Sequence, residues 1–233
     1  PEGATAEDLE AIRHDLGLDQ PVIVRYVKYM GGMLHGDMGV SYVSKTDVFD
    51  TYMEKLPATI KLSFASILVS ILLSVPLGIY SATRQGTVQD NISMIVAMIG
   101  LSMPNFWLGL LLIIVFSLNL GWFPSGGDQT LSSIVLPAIT IGTGLMATLT
   151  RTTRSSMLDV LKQEYLRTAR AKGIPEKIVI TSHALRNALI PIITIIGTQL
   201  AGVLGGSVLT ETVFAWPGVG RLIVDSLNMR DTP

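Results

Sequence analysis

Four stretches of this chain contain no Asp, Glu, Lys, Arg or His: Leu62–Thr83, Asn91–Gly127, Gln129–Thr150 and Asn187–Thr210, of 22, 37, 22 and 24 residues. A helix needs roughly 20 mainly apolar residues to cross about 30 Å of hydrocarbon. Each run meets that length, and the longest has room for one span plus an uncharged loop. None alternates with period two, which excludes a barrel. The expected fold class is therefore all-α integral membrane, a polytopic helical bundle with four spans. Composition agrees. Charged residues are 15% of the 233, against about 25% in soluble domains, and the mean hydropathy is +0.49. A net charge of −1 gives no electrostatic case for nucleic acid. With no cysteine, disulfides and thiolate metal sites are excluded. The chain opens on Pro1 without a signal peptide and reads as an excerpt of a longer protein.

Orientation follows from the basic residues. Arg151, Arg154, Lys162, Arg167, Arg170, Lys172, Lys177 and Arg186 crowd the connection between the third and fourth runs. The segment 1–56 holds five basic residues against ten acidic ones, and the loop near Trp122 holds no basic residue. The positive-inside rule puts the connection in the cytoplasm and both chain ends outside. Trp122 and Phe123 then suit an outer interfacial belt. Three regions follow: an extracytoplasmic helical segment over 1–56, a membrane domain over 57–210, and an outer loop over 211–233.

In the first region, Thr5 with Asp8 predicts a capped helix through Leu9, Ile12 and Leu16 that stops at Gly17. Asp19 and Pro21 predict a second helix through Val24, Tyr26, Val27 and Met30, broken by Gly31, Gly32, Gly36 and Gly39. The last run carries two small-residue lines, Gly197–Ala201–Gly205 and Thr198–Gly202–Gly206. Such lines let helices approach closely, either inside the subunit or between subunits, or they line a passage. Ser102, Asn105 and Thr194 join them as candidate pathway or packing residues.

The basic connection is amphipathic. Met157, Leu158, Leu161, Tyr165, Leu166 and Ala169 share a helical face, Gly173 closes the helix, and Pro175 opens another toward His183 and Arg186. Pattern alone leaves two readings, an interfacial helix or a docking surface for a cytoplasmic partner. Arg154, near the membrane, is expected to serve insertion and to tolerate Lys.

Absences narrow the function. An ionisable residue at a helix centre is costly and is kept where protons or ions move, and these runs have none. There is no GxxxxGK[ST] phosphate loop. His14, His35 and His183 are scattered, which leaves no intramembrane metal site. A membrane enzyme and an ion-coupled carrier remain the rival classes, each short of the groups it needs.

The connection reads Tyr165-Leu166-Arg167-Thr168-Ala169-Arg170-Ala171-Lys172-Gly173, then His183-Ala184-Leu185-Arg186-Asn187-Ala188-Leu189-Ile190-Pro191. It resembles the cytoplasmic EAA loop of ABC-importer permeases, in the form of the dipeptide/oligopeptide/nickel family. Arg167-Thr168-Ala169 takes the EAA place and Gly173 that of the loop glycine. Leu185-Arg186 stands where the general pattern has Leu-Pro, a departure found within the peptide-type branch. Leu16-Gly17-Leu18-Asp19-Gln20-Pro21, Gly36-Asp37-Met38-Gly39, Ser102-Met103-Pro104-Asn105-Phe106-Trp107-Leu108, Phe214-Ala215-Trp216-Pro217-Gly218-Val219-Gly220-Arg221 and Arg230-Asp231-Thr232-Pro233 agree in order.

The resemblance implies a type I importer permease with four of six spans present and both ends outside. It also implies a coupling loop over about 152–188, with Arg167, Thr168, Ala169, Arg170, Ala171, Lys172, Gly173, His183 and Arg186 meeting an ATPase subunit. The implied partners are a second related permease, two cytoplasmic ATPase subunits, an extracytoplasmic substrate-binding protein and membrane lipid. No cofactor is expected in this chain, ATP and Mg being bound by the ATPase subunits. The implied location is the bacterial or archaeal cytoplasmic membrane. The implied cargo is a peptide, or a related solute such as nickel or a metal chelate.

Overall fold

A computed structural model describes Glu10 and residues 19–231. The helix expected from Thr5 to Gly17 lies outside the described residues, as do Thr232 and Pro233. Two compact units emerge, Pro1–Glu54 with Ser226–Pro233, and Lys55–Asp225.

In the first unit, α1 spans Val22–Leu34. Pro21 occupies its N-cap and makes no side-chain cap bond, so Asp19 does not cap it. Gly31 and Gly32 stay helical, and the break comes at Gly36, whose φ of +84° suits glycine. Two glycines in the last turn cost less than the backbone bonds that would be lost by ending earlier. Beyond it, Val40 and Asp47 form an antiparallel bridge closed by Lys45 at φ +59°. Ser41 Oγ donates to Asp231 Oδ2 at 2.5 Å and Tyr42 N to Oδ1 at 2.7 Å, holding that carboxyl below its ordinary range.

The long helix α2 runs from Val48 to Thr83 and is started by Asp47, whose Oδ1 accepts from Phe49 N and Asp50 N. Its 36 residues make a rod of roughly 54 Å. Small and hydroxyl residues face inward: Ser63, Ser66, Ser70, Ser74 and Ser81 are fully buried, with Gly78 on the same side. Phe64, Leu68 and Leu72 point outward and are more than half exposed. Lipid accepts the bulky face, while close backbone approach needs the small one. Ser63 and Ser66 satisfy their hydroxyls on the carbonyls four residues back.

The uncharged run Asn91–Gly127 does not form one straight span. It becomes α3, Val88–Ser102, and α4, Asn105–Leu112, the latter continued by a π-helical stretch Ile113–Asn119. The two are bent by 95° at Met103–Pro104. Pro104 has no N–H to give, and it forces Met103 into extended backbone at φ −91°, ψ 128°. A 3₁₀ turn, Leu131–Ile134, leads into α5, Val135–Leu161. Among the described residues three helices are long and apolar enough to cross a membrane, and the bent pair makes a fourth if it is counted as one broken span.

After α5 come α6, Glu164–Ala171, and α7, Glu176–Ile178. A π-helical stretch, Val179–Ala184, then runs into α8, Leu185–Gly206. Two shorter pieces follow, α9 Val208–Val213 and α10 Val219–Met229. The most apolar window of α5 is 61% buried, against 17% for that of the helix ending in α8. So α5 is the axis of the second unit and α8 lies on its flank.

Candidate functional site

The basic connection is a folded bracket. Leu166 and Ala169 of α6 enter a core with Leu149 and Met157 of α5, Val179 and Ala184 of the π-helical stretch, and Ala188 and Ile192 of α8. Ala169 thus packs inside its own chain, where only a small side chain leaves room for the helices around it. The expectation that it faces a partner is corrected. Arg167, Thr168, Arg170, Ala171, Lys172 and Gly173 are exposed on the other side. Gly173 has φ +76°, and Arg170 grips Glu176 across it through Nε and a terminal nitrogen, at 3.0 and 2.9 Å. Asn187 Nδ2 donates to Tyr165 Oη at 2.6 Å, tying the loop to the first turn of α8. His183 is half-buried and Arg186 exposed.

An ion pair lies just outside the charge-free runs. Asp90, 3% exposed, is in the first turn of α3. It accepts from Arg154 of α5 through Nε at 2.8 Å and a terminal nitrogen at 2.7 Å. Ser81 Oγ at 2.5 Å and Gly86 N at 3.0 Å complete its shell. This planar two-point grip joins α2, α3 and α5, and a lysine cannot reproduce it. The geometry argues against the expectation that Arg154 tolerates Lys.

At the other end of the second unit, Glu211 of α9 is fully buried. Its Oε1 accepts from Thr59 Oγ1 at 2.9 Å and Ser207 Oγ at 2.8 Å, and its Oε2 from Arg221 N at 3.1 Å. Among the described residues no basic side chain pairs with it. Gly218 and Gly220 pass so close that a Cβ at Gly220 would stand 2.7 Å from Val208 Cα and 2.9 Å from Glu211 Oε2. That contact is the physical content of the Trp216-Pro217-Gly218-Val219-Gly220 segment. Trp216 Nε1 donates to Ala58 O at 2.9 Å beside it.

Among the described residues, three glycines of the small-residue lines of α8 have open space where a side chain would start. An added Cβ at Gly197, Gly202 or Gly205 would find no heavy atom within 4 Å. Ala201, Thr194 and Thr198 are exposed, the two threonine hydroxyls bonded to carbonyls four residues back, and Gly206 ends the helix. Among the described residues nothing packs on Gly197, Gly202 or Gly205 at the Cβ position. Ser102 is exposed and bonds Met98 O, away from this group. Asn105 and Gly202 do come together, at the wall of a cavity of about 280 Å³.

The sequence reading missed Asp90, Glu211, the serine face of α2 and Gln199, which shares the cavity wall. Asp90 and Glu211 each stand one residue beyond an uncharged run, so the absence of charge within the runs does not point to them.

Residues 74–233 match the family model described as the binding-protein-dependent transport system inner membrane component. Residues 2–63 match the N-terminal model of binding-protein-dependent transport system membrane components. The oligopeptide transport system permease protein AppB of Bacillus subtilis is 46% identical, over 97% of this chain and 75% of its own. The glutathione transport system permease protein GsiC of Escherichia coli K12 is 43% identical, over 99% and 75%. Among solved structures, an inward-facing form of the MetNI methionine ABC transporter superposes with a TM-score of 0.60 at 20% identity, over 75% of this chain and 79% of that one. An amino acid ABC transporter crystallised with histidines gives 0.56 at 14%, over 78% and 81%. These structural likenesses carry the fold.

Proposed function

The chain belongs to the binding-protein-dependent transport system inner membrane components and is a multi-pass permease subunit of an ABC importer, and from that premise we propose that it forms half of a translocation pathway for peptides or a related small solute. The observation that carries the reading is the bracket Glu164–Asn187. It buries one face in the span core and turns Arg167, Thr168, Ala171 and Lys172 outward, leaving a small, exposed, basic surface fit to seat in another protein. ATP and Mg belong, in this reading, to two cytoplasmic ATPase subunits that dock there. A second related permease covers α8, and an extracytoplasmic binding protein delivers the solute. In the same reading hydrolysis is left to the ATPase subunits, and the membrane is a bacterial or archaeal cytoplasmic membrane.

The test is assembly. Thr168→Tyr and Ala171→Arg enlarge exposed positions without entering the core. Both are expected to leave insertion of the full-length subunit intact while reducing ATPase co-purification at least fivefold. Normal ATPase recovery in both variants would leave the bracket an interfacial helix.

A further inference from the structure

The helix α1 divides into an apolar side and a basic one. At about 100° per residue, its surface is apolar from Tyr29 through Val22, Tyr26, Met30 and Ile23 to Val27, an arc of about 160°. Gly31, Val24, Lys28, Gly32 and Arg25 fill the rest. Among the described residues nothing buries the arc. None of the 13 residues of α1 is buried, and Val22, Ile23 and Leu34 are each more than three-quarters exposed. The helix also has no side-chain cap at Pro21 and carries Gly31 and Gly32 near its end. Isolated helices shorter than about 12–15 residues are marginal in water, and helices in proteins owe most of their stability to a packed apolar face. So α1 needs an apolar surface that the described residues do not supply.

We propose that α1 lies flat on the membrane surface, its apolar arc in the acyl-chain boundary and Arg25 and Lys28 among anionic lipid headgroups. The charges argue for lipid. Arg25 and Lys28 stand on the side away from the arc, and no acidic residue lies between Val22 and Leu34. Neither side chain has an ion pair among the described residues. A layer of anionic headgroups supplies phosphates along the whole helix, while the chains beneath accept the arc to a depth of about 5–10 Å. Tyr26 and Tyr29 are amphipathic rings of the kind that settle at headgroup level. Residues 35–47 are the only link to α2, and fully extended they reach about 45 Å, which keeps α1 within reach of the bilayer that α2 enters.

These 233 residues hold no cysteine, so nitroxides are placed singly through Ile23→Cys and Val27→Cys on the arc, and through Val24→Cys and Gly31→Cys on the other side. The full-length subunit, free of other cysteines, is assembled with cysteine-free partners in phosphatidylcholine bilayers with or without phosphatidylglycerol. Collision of each label with oxygen, which gathers in lipid, is compared with collision with a nickel chelate, which stays in water. With phosphatidylglycerol present, the oxygen-to-chelate ratio at Ile23 and Val27 is expected to exceed that at Val24 and Gly31 about fivefold or more. Omitting phosphatidylglycerol is expected to shrink this contrast about twofold, and Arg25→Gln with Lys28→Gln to abolish the dependence on it. Arc labels immobilised and shut from both reagents would show that protein covers α1, the binding protein or a neighbouring subunit, and would overturn the proposal. Arc labels as open to the chelate as those at Val24 and Gly31 would show a helix bathed in water, with the same consequence. A contrast indifferent to phosphatidylglycerol removes the headgroup pairing and the proposal with it. None of these outcomes touches the permease reading, which stands on the spans and the bracket.

Discussion

Arg154 and Asp90 form a pair that would be lost from any account based on hydrophobic runs alone. The carboxyl is 4% exposed and the guanidinium 26%, so water screens the pair only in part. Removing one partner of a buried pair costs about 3–5 kcal/mol, because the other is left charged and unpaired. Partial exposure of Arg154 puts the expectation for Arg154→Ala toward the lower end of that range. Arg154→Lys keeps the charge and loses the fork, so it is expected to recover less than half of the loss. Thermal unfolding of the purified complex, run as a double-mutant cycle with Asp90→Asn, measures both. A Lys variant as stable as wild type would show that charge alone holds α3 to α5. The sequence reading could have found this pair by examining the residues that flank the runs, since a charge at a helix end pairs across to its neighbour where one in the middle is barred. It could not have found Glu211's shell, which gathers Thr59, Ser207 and a backbone N–H from three separate segments.

Among elements, glycines divide by what stands opposite them. Gly197, Gly202 and Gly205 of α8, which stand out in the sequence, meet no neighbour among the described residues, whereas the tight approaches lie elsewhere. A Cβ at Gly100 of α3 would sit 2.6 Å from Thr143 O, one at Gly142 of α5 2.9 Å from Ser66 O, and one at Gly78 of α2 2.6 Å from Thr153 Cβ. Carbonyl oxygens of packed helices cannot step aside, so overpacking there costs about 1–3 kcal/mol. Gly100→Ala and Gly142→Ala are expected to lower the stability of the subunit by that amount. Gly197→Leu and Gly205→Leu are expected to leave the subunit folded and to weaken recovery of the second permease. Unchanged thermal stability in the first two, or loss of the folded subunit in the last two, would reverse this division.

Element positions were largely legible, because charge-free length and helix stops are local. The bend at Pro104 was not, since a run of hydrophobic residues says nothing of direction. Nor was the inward face of α2, since serines spaced three and four apart read as neutral until a neighbouring helix is placed against them.

At the level of the whole molecule, the proposed docking would make the bracket a lever with its fulcrum in the core. Its orientation is tested by single cysteines at Gln163 and Lys177, both expected to react only from the cytoplasmic side. Labelling of both from outside intact cells would invert the map. On the proposed reading, a push on α6 would reach the spans through its buried core and through the hydroxyl of Tyr165. The core is the cluster of Leu166 and Ala169 with Leu149, Ala188 and Ile192, and the hydroxyl accepts a hydrogen bond from Asn187. Leu166 is fully buried, and truncating it to Ala opens a void that costs about 2–5 kcal/mol. The outer face of α6 keeps its residues in that variant, so ATPase docking is expected to survive while the push is no longer delivered to α8. Leu166→Ala is thus expected to hydrolyse ATP at a near-normal basal rate and to import at least fivefold less solute per ATP. Tyr165→Phe, which removes the hydroxyl's bonds to Asn187 and to His183 O with little change of volume, is expected to lose about twofold. Both are read in proteoliposomes holding the full complex, by counting solute taken up against phosphate released. An unchanged ratio in Leu166→Ala would mean that force enters the spans by a route other than this core. A ratio that falls together with ATPase recovery would mean that the variant damages the docking face itself.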